Sequence, residues 1–459
     1  MKLELAGKTV VVVGAGCTGF ALSRYLRGRF AEVILSDRNP ADKIEGLATL
    51  TDLGVRLDLG GHTQEIFESA DLVVVSPGVP SNIPCLEGAL AKGVPVMGEI
   101  ELAFQELNVP MVAITGTNGK STTTSLVGEA FKAWGKRTFV GGNLGTPLIE
   151  AVEIGQWEWA VVEVSSFQLE VIQAFRPRYA VLLNISEDHL DRYPGMDEYV
   201  AAKANLFVNM NGEDTAILNA DDDRVMAVAD PIRARKVYFS SRRELDEGMF
   251  LADDSLVWRN GTAEERFPVA ELKLKGLHNL ENVMAALVPA LLEGCPSRIA
   301  WQAVCDFPGL EHRMKLVRQL NGVNWYNDSK GTNVGSVVKS LAGLSSPVTL
   351  IAGGKDKGGD YAPLQELVKE KVTHLLLIGQ AAERMREVLG DLADTRILAS
   401  LEEAVQSAHA LTASGGSVLL SPACSSFDMF SNFEERGRIF SQLVLDLPDE
   451  ANVVNHGTS

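Results

Sequence analysis

The stretch that most constrains the fold of this chain is residues 111–124, which read MVAITGTNGKSTTT. Its first four residues are apolar and predict a short buried β-strand, whereas Lys120 and Ser121 open a predicted helix. The turn between them contains Gly116 and Gly119, which let the backbone curl so that several N–H groups point into one concavity. The order strand, glycine turn, Lys-Ser and helix is typical of a phosphate-binding loop.

This loop predicts a chemistry as well as a fold. Lys120 is placed to reach the β- and γ-phosphates of a nucleotide, and the Ser121 hydroxyl is a hard oxygen ligand for the accompanying Mg²⁺. The G-x-x-G-K-S spacing is shorter than the common loop, so the alternative is a glycine-rich turn that caps a core helix. The preceding strand and the Ser-Thr-Thr-Thr run favour ATP binding, for which the predicted residues are Gly116, Thr117, Asn118, Gly119, Lys120, Ser121 and Thr122.

Length and charge narrow the class of protein further. A chain of 459 residues is too long for one core and predicts about three domains. The net charge of −18 argues against a nucleic-acid partner, because such proteins usually carry basic faces. The five cysteines form no C-x-x-C pair, and there is neither a signal-peptide pattern nor a run approaching the ~20 apolar residues of a membrane span. We therefore expect a cytoplasmic protein without a membrane partner, and we expect it to be a monomer.

A second glycine motif lies near the N-terminus. A predicted strand over residues 9–13 runs into GAGCTG at residues 14–19, and a second predicted strand ends at Asp37. This G-x-G-x-x-G pattern is typical of a dinucleotide site with the acid on a ribose. The same turn holds any diphosphate at a helix N-terminus, so NAD is not required. A third strand runs into the turn at residues 76–80, and the first domain is predicted to close at about residue 98.

Polar residues interrupt or follow the predicted elements of the middle segment. Asn143 lies in a glycine-rich loop that is either a plain turn or a ligand contact. Glu163 interrupts an apolar strand, and because a buried carboxylate is costly without a cation partner, Mg²⁺ on the nucleotide is a candidate. His189 follows a strand and is flanked by acids. Lys203 lies in an amphipathic helix, where nothing local excludes an ordinary solvated lysine.

The third segment repeats one plan three times. Apolar strands run into the polar loops at residues 327–333, 353–359 and 421–428, and each loop precedes a helix. This pattern predicts another α/β domain whose ligand-facing loops share one edge of a parallel sheet. Upstream of it, Asn279 and Asn282 are three residues apart and share a helix face, either as caps or as contacts to a base or ribose.

Eight stretches of the chain together resemble the Mur ligase superfamily, and they occur in the family's order. They are TGTNGKSTT, EVSSFQLE, NISEDHLDRY, LHNLEN, FPGLEHRM, NDSKGTNVGS, GGKDKG and LLSPACSSFDMFSNFEERG. The NDSKGTN stretch resembles the members that add D-glutamate. The resemblance implies an α/β fold with three domains: a Rossmann-like N-terminal domain at 1–98 for a UDP-sugar, a central P-loop ATPase-type domain at 99–307, and a Rossmann-like C-terminal domain at 308–459 for the amino acid.

The resemblance also implies a role for each matching residue. The catalytic set would be Lys120, Glu163, His189 and Lys203, and further nucleotide contacts would come from Asn279, Arg313, Asp328 and Lys330. Two Mg²⁺ sites are implied, one on Ser121 and Glu163 and one on His189 and Lys203, with Lys203 carrying a carbamate. The UDP-substrate side would be Gly14, Gly16, Thr18, Gly19, Asp37, Ser76, Gly78 and Asn143, although the match is looser after Asp37. Thr332, Lys357, Ser426 and Phe433 fall where the family grips D-glutamate.

The implied reaction is ATP-dependent amide formation. D-glutamate would be added to the L-alanine carboxylate of UDP-N-acetylmuramoyl-L-alanine through an acyl phosphate, in cytoplasmic peptidoglycan precursor synthesis. An NAD-dependent oxidoreductase is the rival enzyme class, but it leaves the phosphate-binding loop and the second half of the chain unexplained. A nucleotide sensor without turnover would not need Lys330, Lys357 and Ser426. A folylpolyglutamate synthase is the nearest sister enzyme, and the NDSKGTN stretch argues against it.

Overall fold

The computed structural model describes residues 3–80, 82–189, 192–356 and 358–448. These residues form α/β sheets covered by helices, so the predicted fold class is confirmed. The chain divides into two compact units. The first contains the residues up to 185 together with 197–272 and 279–307, and the second contains 186–196, 273–278 and the residues from 308 onward. The predicted domain boundaries at residues 98 and 307 stay predictions.

Within the described part of residues 3–98, five parallel strands form a sheet in the order β3-β2-β1-β4-β5. The strands are β1 (Thr9–Val13), β2 (Glu32–Asp37), β3 (Arg56–Leu59), β4 (Leu72–Val75) and β5 (Val96–Gly98), and the helices are α1 (Cys17–Gly28), α2 (Leu47–Asp52), α3 (Gln64–Glu68) and α4 (Pro84–Ala91). The sequences of β1 and β4 are nearly continuous valine runs, because parallel strands are covered on both faces. Since β1 lies between β2 and β4, the chain reverses direction across the sheet there, and ligands bind at such switch points.

The described residues of the middle segment form a nine-stranded sheet in the order β14-β13-β12-β11-β10-β9-β6-β8-β7. Its strands are β6 (Met111–Thr115), β7 (Thr138–Gly142), β8 (Trp159–Glu163), β9 (Tyr179–Leu182), β10 (Thr215–Asn219), β11 (Arg235–Ser240), β12 (Gly248–Ala252), β13 (Ser255–Asn260) and β14 (Ala263–Pro268). The helices are α5 (Glu99–Glu106), α6 (Lys120–Ala133), α7 (Leu148–Ile154), α8 (Ser166–Leu169), α9 (Met196–Ala204), α10 (Asp223–Ala229), α11 (Leu277–Leu292) and α12 (Ser297–Asp306). The strands β6 to β12 pair in parallel, and β12 to β14 pair antiparallel. The switch point of this sheet is at β6, which lies between β8 and β9.

In the described part of the third segment, six strands form a sheet in the order β15-β16-β20-β17-β18-β19. The strands are β15 (Lys315–Leu320), β16 (Val323–Asn327), β17 (Val348–Gly353), β18 (Val372–Ile378), β19 (Asp394–Ile397) and β20 (Ser417–Leu420). The helices are α13 (Val334–Ala342), α14 (Gln365–Lys371), α15 (Ala382–Leu389), α16 (Leu401–Leu411) and α17 (Phe433–Leu445). Asn327 at the end of β16 and Ile351 near the end of β17 both pair with Leu420 at the end of β20, so the prediction that these strand ends share one edge is confirmed.

None of the helices in the described ranges combines the length and the apolar character that crossing a membrane requires.

Candidate functional site

The loop between β6 and α6 has the backbone of a tight anion-binding turn. Gly116 has a φ of +147° and Gly119 a φ of +92°, values that residues other than glycine rarely adopt. A Cβ on Gly119 would lie 2.2 Å from Oδ1 of Asn282 on α11, so the Asn282 side chain would have to shift to admit one. The loop starts at the switch point of the second sheet and ends at the N-terminus of α6, where backbone N–H groups favour an anion. The predicted phosphate-binding loop therefore has the expected local structure.

The loop is held in place by a residue that the sequence did not single out. Asn184 follows β9, and its side-chain Oδ1 accepts from the Asn118 backbone N–H at 2.9 Å, while its Nδ2 donates to the Asn118 carbonyl at 2.9 Å. The Thr117 N–H also donates to the Asn184 carbonyl at 2.9 Å. This pairing fixes the curl of the loop from the neighbouring strand. The available sequence signal was a polar residue directly after an apolar strand.

Two lysines donate to one carbonyl of the loop. Nζ of Lys120 lies 2.9 Å from the carbonyl oxygens of Gly116 and Thr117, and Nζ of Lys203 lies 3.0 Å from the same Gly116 oxygen. Lys203 is only 1% exposed, and its Nζ is 4.5 Å from the centre of the Tyr199 ring. The solvated alternative for Lys203 is therefore excluded. Two ammonium groups beside one loop form a site suited to a polyphosphate.

A buried carboxylate lies at the end of the strand next to the loop. Glu163 ends β8 in register with Ile114 of β6 and is 2% exposed. Its Oε1 accepts from Nδ2 of Asn143 at 2.7 Å, and its backbone carbonyl accepts from the Asn143 N–H at 2.9 Å. Ser121 is buried on the first turn of α6.

These oxygen donors allow the predicted magnesium site to be tested. A serine hydroxyl and a carboxylate are hard ligands that fit Mg²⁺, which also keeps water and phosphate oxygens in its shell. Among the residues that the structure describes, no group of three or more His, Cys, Asp or Glu side chains is arranged to hold a metal ion. Ser121 and Glu163 therefore fit as a partial shell that nucleotide phosphates would complete.

Two asparagines of α11 belong to the same site. Nδ2 of Asn282 lies 3.3 Å from Oδ1 of Asn279, and Oδ1 of Asn282 accepts from the Thr123 hydroxyl at 3.3 Å. Asn282 is buried and also faces Gly119. Thr122, the remaining predicted ATP residue of α6, is buried in the first turn of that helix.

The predicted UDP-substrate residues of the first sheet meet at its switch point. Asp37 uses Oδ2 to accept from the Ala15 N–H at 2.6 Å and Oδ1 to accept from the Asn39 N–H at 2.7 Å. The Ser76 hydroxyl donates to the Gly14 carbonyl at 3.3 Å. In the structure Asp37 thus fixes the glycine turn.

The glycines predicted to bind the UDP-substrate differ in whether the structure leaves room for a side chain at their position. A Cβ on Gly19 would lie 1.8 Å from the Gly14 carbonyl oxygen, and Gly14 has a φ of +97°. A Cβ on Gly16 or on Gly78 would meet nothing within 4 Å. Thr18 is half-buried in the first turn of α1. Substrate contacts by Gly16, Thr18 and Gly78 stay predictions.

The second unit buries a carboxylate between its predicted ligand loops. Asp328 accepts from the hydroxyls of Ser340 and Ser421, both at 2.7 Å, and from the Met314 N–H at 3.2 Å. Burial raises the pKa of this carboxyl, while the serine hydroxyls and the charge of Arg313 lower it. Asp328 therefore joins the loop after β16 to the loop after β20.

The buried Arg436 guanidinium on α17 also joins the loop after β16 to the loop after β20. Arg436 is 1% exposed, and its Nε and Nη2 donate to the hydroxyl and the carbonyl of Ser329 at 3.0 and 2.8 Å. Both Nη atoms also reach the Cys424 carbonyl at 3.3 Å. Burial lowers the pKa of Arg436 to about 10. The burial of Arg436 could not be predicted from the sequence, because an arginine in an amphipathic helix is ordinarily solvated.

Three of the four predicted D-glutamate residues lie in these loops or directly after them. Ser426 is buried after β20, Thr332 is half-buried after β16, and Phe433 begins α17. Nζ of Lys330 lies 5.0 Å from the centre of the Phe433 ring, a cation–π contact. Lys357 lies outside the described residues.

His189 lies in the segment of the second unit that precedes α9. It has a φ of +57°, and its Nε2 is 3.7 Å from Oδ2 of Asp188. The same Asp188 oxygen accepts from Nδ2 of Asn333 at 3.0 Å, so this segment is tied to the start of α13. Lys203 belongs to the first unit, and the metal site predicted for His189 and Lys203 together stays a prediction.

Three family models match successive parts of the chain. The Mur ligase MurD-like N-terminal domain matches residues 8–98, the Mur ligase middle domain matches 114–290, and the Mur ligase glutamate ligase domain matches 312–424. This chain belongs to the Mur ligase family. Its phosphate-binding loop lies in the match to the family's middle domain.

Curated relatives within the Mur ligase family cover nearly the whole chain. It is 60% identical to UDP-N-acetylmuramoylalanine--D-glutamate ligase of Syntrophotalea carbinolica, over 96% of this chain and 98% of the relative. It is 54% identical to the protein of the same name from Geotalea uraniireducens, over 98% of this chain and 100% of that relative.

Solved structures of Mur ligases share the fold at low sequence identity. A pseudomurein peptide ligase type C from Methanothermus fervidus aligns with a TM-score of 0.61 and 18% identity, over 96% of this chain and 99% of that one. UDP-N-acetylmuramate-alanine ligase from Thermotoga maritima aligns with a TM-score of 0.61 and 19% identity, over 95% and 99% of the two chains. These likenesses support the three-sheet Mur ligase fold.

Proposed function

We propose that this chain is an ATP-dependent ligase that joins D-glutamate to the L-alanine carboxylate of UDP-N-acetylmuramoyl-L-alanine, in cytoplasmic peptidoglycan precursor synthesis. The observation that carries the proposal is the pair of relatives, 60% and 54% identical over nearly both full lengths, whose names state a D-glutamate ligase acting on UDP-N-acetylmuramoylalanine. The match of residues 312–424 to a glutamate ligase domain supports the same amino-acid class.

In the first step the L-alanine carboxylate attacks the γ-phosphorus of ATP, which forms an acyl phosphate and releases ADP. Two anions meet in this step, so positive charge lowers the barrier. Lys120 and the N-terminus of α6 supply that charge beside the Gly116 carbonyl. Asn118, held by Asn184, keeps the loop N–H groups directed at the phosphates.

Magnesium would be held at two places, by Ser121 with Glu163 and by His189 with a carbamylated Lys203, where it would neutralise phosphate charge. Glu163 is oriented for this role by Asn143, whose amide donates to one of its carboxylate oxygens. We assign His189 a ligand role because a histidine bound to a metal is not also a free base.

In the second step the deprotonated amine of D-glutamate attacks the acyl carbonyl, and inorganic phosphate leaves as the amide forms. Thr332, Lys357, Ser426 and Phe433 would bind the amino acid, while Asn279, Arg313, Asp328 and Lys330 would contact the nucleotide. Asp328 and Arg436 fix the loops that carry several of these residues. Water must be kept from the acyl phosphate, because hydrolysis would waste ATP.

The domain roles follow the three family matches. Residues 1–98 would bind the UDP-substrate, 99–307 would bind ATP and 308–459 would bind D-glutamate, in a cytoplasmic monomer. The glycine turn at residues 14–19 and the phosphate-binding loop, each at the switch point of its sheet, support the first two roles.

The test is release of phosphate from ATP in the presence of Mg²⁺ and UDP-N-acetylmuramoyl-L-alanine. We expect release that requires D-glutamate and does not occur with L-glutamate. The variant Lys120→Ala should reduce it by about 10³-fold, whereas Lys132→Ala, which removes an exposed lysine of the same helix, should leave it unchanged. A folded wild-type protein that binds ATP and releases no phosphate with D-glutamate would contradict the proposal.

A further inference from the structure

The helix α5 carries three buried glutamates between the first and second sheets. Glu99, Glu101 and Glu106 are 2%, 0% and 4% exposed. A buried carboxylate is tolerated only when it is well hydrogen-bonded, and each of these accepts from a segment far away in the sequence. Because α5 directly follows β5, Glu99 and Glu101 join the end of the first sheet to elements of the second within one compact unit, whereas Glu106 accepts from Leu3 near the N-terminus.

Glu99 caps a helix from a distance of fifty residues in the chain. Its Oε1 accepts from the Ile149 backbone N–H at 2.7 Å, and the Leu148 N–H also donates to its carboxyl. These residues begin α7, whose first N–H groups have no partner within the helix. The residue before them is Pro147, which has no side-chain acceptor, so the cap has to come from elsewhere.

The loop that enters α7 carries Asn143. Its other end is fixed at Glu163, which Asn143 contacts with both its backbone N–H and its side-chain amide. Within the loop, the Gly142 N–H donates to the Thr146 carbonyl at 2.8 Å. The loop is therefore anchored at Asn143 by the second sheet and at the start of α7 by Glu99 from the end of the first sheet.

A second contact between the same elements is weaker. Arg24 of α1 lies 3.1 Å from Glu150 of α7, but their side chains are 45% and 30% exposed, and solvent-exposed ion pairs contribute little. Helix α1 begins directly after the glycine turn at residues 14–19. The buried Glu99 contact is thus the stronger constraint between that turn and the Asn143 loop.

The structure assigns Glu99 as a positioning residue for the UDP-substrate. It holds the Asn143 loop in register with the glycine turn at residues 14–19, so that both parts of the substrate surface are preorganised together. Glu99 touches no substrate and acts through Asn143. This assignment rests on the proposed function, because that function makes both parts contact the UDP-substrate.

The variant Glu99→Gln tests the assignment at pH 8, where Glu99 is mostly ionised, because it keeps the side-chain shape and removes the charge that two N–H groups share. We expect the Kd and the KM for UDP-N-acetylmuramoyl-L-alanine to rise about tenfold, the loss expected when a charge-assisted hydrogen bond is weakened. The kcat and the KM for ATP should stay within about twofold of wild type. The lost interaction is equally strong in the bound substrate and in the transition state, so its loss changes only the KM for the UDP-substrate.

The matched control is Glu101→Gln on the same helix. Glu101 accepts from the N–H groups of Gln173, Ala174 and Phe175, a segment separate from the Asn143 loop. This variant should lower the melting temperature without raising the KM for the UDP-substrate. If Glu99→Gln does not fold, Glu99→Asp, which keeps the charge on a shorter side chain, should show the same selective rise in KM.

A double-variant cycle separates positioning from a general loss of structure. In the background of Asn143→Ala, Glu99→Gln should change the Kd for the UDP-substrate by less than about twofold, because the residue through which it acts is gone. Equal Kd values for wild type and folded Glu99→Gln, fully additive effects in the cycle, or the same rise in Glu101→Gln would each overturn the assignment.

Calorimetry with UDP-N-acetylmuramoyl-L-alanine alone keeps this test apart from that of the function. A folded wild type that does not bind it would contradict the proposed function. A wild type that binds it and turns over, together with a Glu99→Gln variant of equal affinity, would contradict only the role of Glu99.

Discussion

The phosphate-binding loop and the loops after β16 and β20 are held in their conformations by different kinds of interaction. Both place polar groups at the carboxyl ends of parallel strands. The phosphate-binding loop is a contiguous motif in which the Gly116 carbonyl accepts from two lysines, and its glycines supply the backbone conformation. The other loops are joined by Asp328 and Arg436, which bond to residues up to 107 positions away. The backbone conformation of the first site is thus encoded by its own glycines, although Lys203 and Asn184 reach it from 87 and 66 residues away, whereas the second site depends on buried charges that the fold brings together.

This difference predicts that charges in the first region serve binding and catalysis, while those in the second serve the fold as well. The largest expected effect is that of Lys120→Ala. We expect kcat/KM to fall by about 10³-fold, as for loss of one preorganised donor to a developing charge. Thermal unfolding should be nearly unchanged. Steady-state phosphate release and a melting curve check both parts, and a large fall in melting temperature would break the comparison.

The variant Arg436→Ala tests the second region. It leaves the Ser329 and Cys424 carbonyls without a buried donor, so we expect a loss of about 3 kcal/mol in the free energy of unfolding. The KM for D-glutamate should rise while the KM for the UDP-substrate stays constant. Arg438→Ala, which removes an exposed arginine two residues along α17, is the control. If Arg436→Ala left the free energy of unfolding unchanged, Arg436 would not stabilise the fold, and this region would not differ from the phosphate-binding loop in that respect.

A third buried charge gives a pH dependence. Burial raises the pKa of Glu99 to about 7, although the Leu148 and Ile149 N–H groups lower it, and Glu150 of α7 raises it further. Burial raises the pKa of Cys17 at the start of α1, and the charge of Glu99 in turn raises it further. Because the folded pKa lies above the unfolded value, the stabilising contribution is complete below about pH 4.5 and is lost as the pH rises through 7.

Wild type should therefore lose up to about 3 kcal/mol relative to Glu99→Gln between pH 5 and pH 8. Denaturant unfolding of both proteins at the two pH values measures the difference. Parallel pH profiles for wild type and Glu99→Gln would show that Glu99 does not titrate in this range.

The smallest expected effect sharpens the comparison within the phosphate-binding loop. Asn184→Ala removes both side-chain hydrogen bonds to the Asn118 backbone without adding a charge beside the phosphates. Loss of a neutral hydrogen bond costs about 1 kcal/mol, so the KM for ATP should rise by about tenfold to thirtyfold. The KM for D-glutamate is the internal control, and a rise in both values would mean that the two regions are not independent.

What the sequence could predict follows the same division. The glycine turn, Lys120 and Ser121 could be predicted because their function depends on neighbours in the chain. The burial of Glu163 could be predicted because it is a carboxylate in an apolar strand. Asn184, Arg436 and Glu99 were not, because their partners lie 66, 107 and 50 residues away and pair only through the sheet order. The burial of Lys203 was also hidden, since its helix is amphipathic and its partner carbonyl is 87 residues distant.

The central claim is that the chain activates the substrate carboxylate as an acyl phosphate before it adds D-glutamate. The most direct test uses UDP-N-acetylmuramoyl-L-alanine labelled with ¹⁸O in both carboxylate oxygens, with unlabelled ATP and D-glutamate. The released phosphate, analysed by mass spectrometry, should contain one ¹⁸O atom per molecule, and the amide product should keep the other. Product that forms with unlabelled phosphate would contradict the account.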